Sequence, residues 1–192
     1  YVRELVKIPS TSNTETEKSC ADYIAEELAK QPYFKEYPEQ TGKYLLPEDS
    51  FGRSVPWGLV KGRNGSRKTI ILTGHYDVVD TEEYGNERAL AYDVEKWENL
   101  VKSGNALPGM PEEVKEDFLS GEWMFGRGTA DMKGGLSVGL ALLDWYGKLV
   151  VEAERKDCGT AAFETKTASG TEETPEISGN LLFVTVPDEE GY

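Results

Sequence analysis

Two short runs of branched apolar residues constrain this chain most: KTIILT at 68–73 and LLFVTV at 181–186. Each is continuous rather than alternating, the pattern of a strand covered on both faces. Both are therefore expected as buried strands, with KTIILT central in its sheet. Helical spacing surrounds them. Ser12 or Asn13 can cap a helix from about Glu15 to Lys30, with Ala21, Ile24, Ala25 and Leu28 on one face. Pro32 ends it. Met132 to Leu149 reads as a longer helix: Leu136, Leu140, Leu143 and Leu149 lie near one face, and Gly134, Gly135 and Gly139 allow close packing. Shorter helices are expected near 93–102 and 111–119, a strand at Trp57–Val60 and a loop over 33–55. Strands alternating with helices define an α/β fold. Open α/β sheets bind ligands beyond the ends of their strands.

The segments just beyond the strands therefore carry the chemistry. Directly after KTIILT comes Gly74-His75-Tyr76-Asp77, which holds the chain's one histidine. In extended backbone His75 and Asp77 face the same side. A neutral imidazole ligates zinc well, and a carboxylate beside it fixes its tautomer. By itself, HxD is more often a satisfied histidine at a strand end. A second segment, Gly126-Arg127-Gly128-Thr129-Ala130-Asp131-Met132-Lys133-Gly134-Gly135, carries Asp131 where a loop turns into a helix. Asp131 reads equally as a helix cap or a cation ligand. The glycines could cradle a phosphate, but the loop is neither GxxxxGK[ST] nor GxGxxG, and an aspartate at its centre repels anions. The third segment, Pro187-Asp188-Glu189-Glu190-Gly191, comes directly after LLFVTV. Adjacent carboxylates repel unless a cation or proton separates them; a surface turn is the plainer reading. Together the three give one imidazole and several carboxylates, a donor set that suits zinc or a similar divalent ion.

Charge narrows the partners. The 192 residues carry 21 Lys and Arg against 35 Asp and Glu, net −14. That argues against nucleic acid and against an anionic membrane surface. Residues 80–122 hold twelve acids and four bases and read as an acidic, solvent-facing insertion. Residues 152–180, rich in Thr, Ser, Glu and Gly, read as a flexible insertion. Two distant cysteines, Cys20 and Cys158, argue against a disulfide framework and point to a reducing cytoplasm. No apolar run approaches membrane-spanning length. Trp57, Trp97, Trp123 and Trp145 are available to anchor a core. Tyr1 at the start, and an apolar run that stops just before Tyr192, lead us to expect a piece of a longer chain.

In order, TGHYDVV, GRGTADMKGG and VTVPDEEGY resemble the zinc-dependent exopeptidase and amidohydrolase family of aminoacylases, carboxypeptidase G-type enzymes and succinyl-diaminopimelate desuccinylases. The long acidic stretch between the first two resembles its RocB-type arginine-utilisation branch. The resemblance implies a three-layer α/β/α catalytic domain with a mainly parallel mixed sheet, of which this chain is the N-terminal part. It implies two divalent metal ions, zinc by preference, with cobalt or manganese also fitting. His75, Asp131 and Glu190 would be metal ligands, Asp131 bridging the two ions. Asp77 would orient His75, and Glu189 would be the general base. The activity implied is hydrolysis of an N-acyl amino acid or small peptide. A further acidic ligand, a late histidine and a lid or dimerisation domain are expected outside these residues, and with them a homodimeric parent. The alternative is a truncated, non-catalytic relative serving binding or assembly. A phosphate- or nucleotide-binding domain built on the glycine-rich loop is a third reading. Arg127 is expected to pair with a carboxylate, Lys133 to be a charge on a helix surface, and Cys20 and Cys158 not to be nucleophiles.

Overall fold

The computed structural model describes residues 1–63, 65–104, 109–157 and 178–191. Helices α1 (Val2–Lys7), α2 (Thr16–Lys30) and α3 (Pro32–Glu36) precede strands β1 (Thr41–Leu45), β2 (Ser54–Lys61) and β3 (Thr69–His75). A 3-10 segment (Glu82–Tyr92) then leads into α4 (Val94–Ser103), α5 (Glu112–Ser120), α6 (Lys133–Asp157) and β4 (Asn180–Val186). The strands form one mixed sheet in the order β1-β2-β4-β3. β1 and β4 are antiparallel to β2, and β3 is parallel to β4. The expected α/β class is observed. Strand directions are more evenly mixed than expected, since two of the three pairings are antiparallel.

The main core follows the helical spacing. Ala21, Ile24 and Leu28 of α2 and Leu136, Leu140 and Leu143 of α6 share one core with Val60 and Phe183 of the sheet. α1 and α3 join the same core through Leu5 and Phe34. These helices and the sheet supply two of the three expected layers. Gly139 explains how closely α6 lies on β4: a Cβ there would come within 2.8 Å of the Phe183 ring. Gly139→Ala is expected to overpack this contact and destabilise the fold by about 1–3 kcal/mol, read as a lower thermal midpoint with unchanged far-UV circular dichroism.

Several expectations are corrected. Among the described residues KTIILT is not central: β3 lies at the edge of their sheet, and Ile70 and Ile71 are 67% and 59% exposed. A branched apolar run reports strand formation and a need for cover; it does not say which residues provide that cover. A groove of about 490 Å³ runs between β3 and α6, edged by Ile70, Leu142 and Trp145. Residues 33–55 are not all loop: they contain most of α3 and all of β1, whose TGKYL lacks strong strand signals. The long helix passes Leu149 and is described as far as Asp157, so 152–157 belong to it. The rest of the expected flexible insertion, up to Ser178, lies outside the described residues, as does Cys158. Of the four tryptophans, Trp97 alone is buried; Trp123 and Trp145 are exposed.

The described residues of the acidic segment 80–122 are folded. Asp93 caps α4 by accepting the Lys96 N–H at 2.9 Å, and Gly104, in the left-handed region, ends it. Pro111, Glu112 and Glu113 open α5 as their types predict. Trp97, Phe118 and Leu90 form a second small core. The Phe125 ring lies 5.5 Å from Trp97 and 5.4 Å from Phe118. Most of its acids are exposed, while its aromatics hold it together.

Candidate metal centre

The site forms where β3 and β4, running parallel, end side by side. Parallel pairing aligns Gly74 with Thr185 and His75 with Val186. The segments after each strand therefore start together. Tyr76 continues the pairing by donating its N–H to the Val186 carbonyl at 3.0 Å. The N-terminal Ser10–Ser12 segment runs alongside. Ser10 Oγ donates to the Tyr76 carbonyl at 2.6 Å, and the Val78 N–H donates to the Ser10 carbonyl at 2.9 Å.

His75 is 6% exposed. Its Nδ1 lies 3.1 Å from the Asp77 carbonyl oxygen and 3.4 Å from Asp77 Oδ1. A proton on Nδ1 thus has acceptors on the Asp77 side, leaving Nε2 to face outward. Nε2 lies 3.1 Å from Asp131 Oδ1 and 3.7 Å from Glu189 Oε2. An imidazole lone pair aimed at carboxylate oxygens requires a proton or a cation between them. Burial disfavours imidazolium here, but the Asp131 hydrogen bond and the Asp77 and Glu189 charges outweigh it and raise the His75 pKa. Glu190 is raised too, by burial first and then by the Asp131, Glu189 and Asp77 charges, against the pull of His75. Ligand atoms of His75, Glu189 and Glu190 lie within 4.8 Å of one another. Imidazole and carboxylate at this spacing fit a divalent ion such as zinc.

All five expected residues converge. Asp131 sits just before α6, with its side chain 77% exposed. Glu189 is 61% exposed. Asp77 is fully buried: its Oδ2 accepts Ser12 Oγ at 2.7 Å and the Glu190 N–H at 2.9 Å. It therefore ties the two strand-end loops together besides flanking His75. Its backbone carbonyl makes the shorter contact to Nδ1, so orientation of the ring is shared between main chain and carboxylate.

Lys133 corrects the sequence reading. It is fully buried rather than a surface charge. Its Nζ donates to the Ile8 carbonyl at 2.6 Å and lies 6.0 Å from the Tyr92 ring centroid. Burial lowers its pKa, opposed by Cys20 and Asp77. It fastens the start of α6, and so the neighbourhood of Asp131, to the N-terminal segment. Ser12 does not cap α2; its hydroxyl serves Asp77 and the Val78 carbonyl. Arg127 does pair with a carboxylate, Glu83, at 2.8 Å, and lies over the Tyr84 ring. Cys20 is buried, and burial pushes its thiol up to about 11, unsuited to nucleophilic work. Ser12, Glu17 (which accepts the Asp188 N–H at 3.1 Å), Arg53 (3.3 Å from Asp188 Oδ1) and buried Lys133 are neighbours of the site that the sequence does not identify. The one signal for the first two is the polar STSNTETE stretch before α2, which reads as ordinary helix-start chemistry.

No family model matches the chain. It is 32% identical over 186 residues to protein RocB of Bacillus subtilis (strain 168), covering 97% of this chain and 28% of RocB. It is 35% identical over 187 residues to the uncharacterized protein YqjN of the same organism, again covering 97% of this chain and 28% of the relative. The chain thus spans little more than a quarter of the length of these curated relatives. An M20 family metallo-carboxypeptidase from Sulfolobus solfataricus is a structural neighbour, with TM-score 0.49 and 18% identity, covering 98% of this chain and 30% of that one. The resemblance to the RocB-type branch, read from three motifs and an acidic stretch, is borne out along nearly the whole chain. Among the described residues no helix is long and apolar enough to cross a membrane.

Proposed function

We propose that these residues are the N-terminal part of the catalytic domain of a metal-dependent hydrolase that cleaves the amide bond of an N-acyl amino acid or small peptide. The observation that carries this reading is the convergence of His75 Nε2, Asp131, Glu189 and Glu190 at the ends of two parallel strands. In this reading His75 and Asp131 would hold one ion and Asp131 and Glu190 a second, zinc in both positions by donor type. A bound divalent cation supplies Lewis acidity toward water and the scissile carbonyl. Glu189, the more exposed carboxylate of the Glu189–Glu190 pair, takes a proton from the attacking water as the new C–O bond forms. It delivers that proton to the leaving nitrogen as the C–N bond breaks, so charge and protons balance. Asp77 keeps the Nδ1 proton of His75 engaged and leaves Nε2 free as a donor.

This set would offer two donors to each ion, and catalytic zinc normally has three protein ligands. The missing donors are proposed to come from an acidic residue and a histidine outside these residues, with a homodimeric assembly for the whole protein. The test uses the polypeptide at its natural length with a panel of N-acyl amino acids and dipeptides. Chelation followed by dialysis is expected to remove hydrolysis, and Zn²⁺ or Co²⁺ to restore it, with two ions bound per chain by elemental analysis. Hydrolysis that survives metal removal, or a chain that binds no ion, overturns the proposal; the second result favours a non-catalytic binding module.

A further inference from the structure

Glu17 is a fully buried carboxylate in the first turn of α2, far in sequence from the residues of the metal centre. Its Oε2 accepts the Asn13 N–H at 3.1 Å and Arg53 Nη1 at 3.3 Å. Its Oε1 accepts the Asp188 N–H at 3.1 Å. Arg53 in turn is held by Asp49, Nε to Oδ1 at 2.8 Å, and reaches Asp188 Oδ1 at 3.3 Å. Two residues further along the same turn, the Glu190 N–H is held by buried Asp77. The amides on either side of Glu189 are thus gripped by two buried carboxylates from distant parts of the chain. Asp188 adopts φ 64°, a left-handed conformation that a non-glycine residue holds only when its surroundings enforce it.

We propose that Glu17 is a positioning residue: through the Asp188 amide it fixes the turn from which Glu189 and Glu190 project. The plainer role, closing the start of α2, accounts for the Asn13 contact alone. It does not require a carboxylate to reach a turn 171 residues away. Nor does stability require it, since a buried ion pair contributes little net stability compared with an apolar pair of similar volume. Its effect on metal binding rests on the function proposed above; the restraint on the turn belongs to the chain itself.

The test compares wild type, Glu17→Gln and Glu17→Asp in the polypeptide at its natural length. Two readouts are used: residue-resolved amide exchange over 181–191 by mass spectrometry, and Co²⁺ titration followed by visible absorption. Both variants are expected to speed exchange at Asp188 and Glu190 by about tenfold or more, while β4 keeps its protection. Co²⁺ affinity is expected to fall about 10–100-fold, the range for residues that orient ligands. A lowered thermal midpoint with unchanged exchange and unchanged Co²⁺ affinity leaves Glu17 a purely structural residue and overturns the proposal. Glu17→Asp keeps the charge facing Arg53, so it decides the matter if Glu17→Gln does not fold. If wild type binds no Co²⁺, the metal reading fails, while the exchange comparison still decides whether Glu17 positions the turn.

Discussion

Replacing His75 by alanine is expected to abolish metal binding and hydrolysis while leaving the fold in place. The imidazole is the one neutral nitrogen donor in the centre, and its Nε2 is the atom that Asp131 and Glu189 approach. Without it the remaining donors are carboxylates crowded together, which repel one another unless protonated. Loss of a residue that merely orients a ligand costs about 10–100-fold in metal affinity, and loss of the ligand itself should exceed that range. The backbone has little reason to change. The pairing of Thr69–His75 with Asn180–Val186 is made by main-chain groups, and the Tyr76 hydroxyl still bonds the Ser54 carbonyl. Isothermal titration with Zn²⁺, alongside circular dichroism, checks both halves. Wild-type affinity in a folded His75→Ala protein would remove His75 from the centre.

The second large effect concerns Glu189. Glu189→Gln keeps the size and one oxygen of the side chain but removes the proton acceptor. General acid–base groups contribute about 10²–10⁴-fold, so kcat is expected to fall by about that factor with KM changed little. Metal stoichiometry is expected to stay at the wild-type value, which separates Glu189 from Glu190. The neighbouring geometry supports this division. The Glu190 amide is tied to Asp77 at 2.9 Å, whereas Glu189 projects as an exposed side chain. Single-turnover kinetics with metal analysis on the same sample provides the check. Loss of an ion without a fall in kcat per bound metal would assign Glu189 as a ligand instead.

The candidate site was legible because its residues sit in three short segments placed after strands or before a helix. Apolar runs and helical spacing locate those junctions, and parallel pairing of β3 with β4 brings two of them together. The illegible parts depend on distant partners. Lys133 looks like any lysine near a helix start; its burial is decided by the Ile8 carbonyl and Tyr92 ring, both far away in sequence. Ser12 is a good capping residue by type, yet its hydroxyl is drawn to Asp77 once the Ser10–Ser12 segment lies along Tyr76–Val78. β1 has a single β-branched residue, Thr41, and a glycine beside it, too little to announce a strand, and is recruited by pairing with β2. Trp145 and Ile71 gave the opposite error: hydrophobic type suggested interior positions, but their neighbours among the described residues leave them exposed.

The outer side of β3 carries a further consequence. From Thr69 to Gly74 the strand has no charged residue, no proline and no bulge. These are the usual guards against strand-to-strand pairing. Beside it, Val138, Leu142 and Trp145 widen the sticky surface. The protein's large negative charge opposes encounter between copies, but that repulsion weakens as salt screens it. Self-association of these residues in isolation is therefore sensitive to ionic strength: dilute buffer keeps copies apart, and concentrated salt lets two bare β3 edges pair, which uses up both.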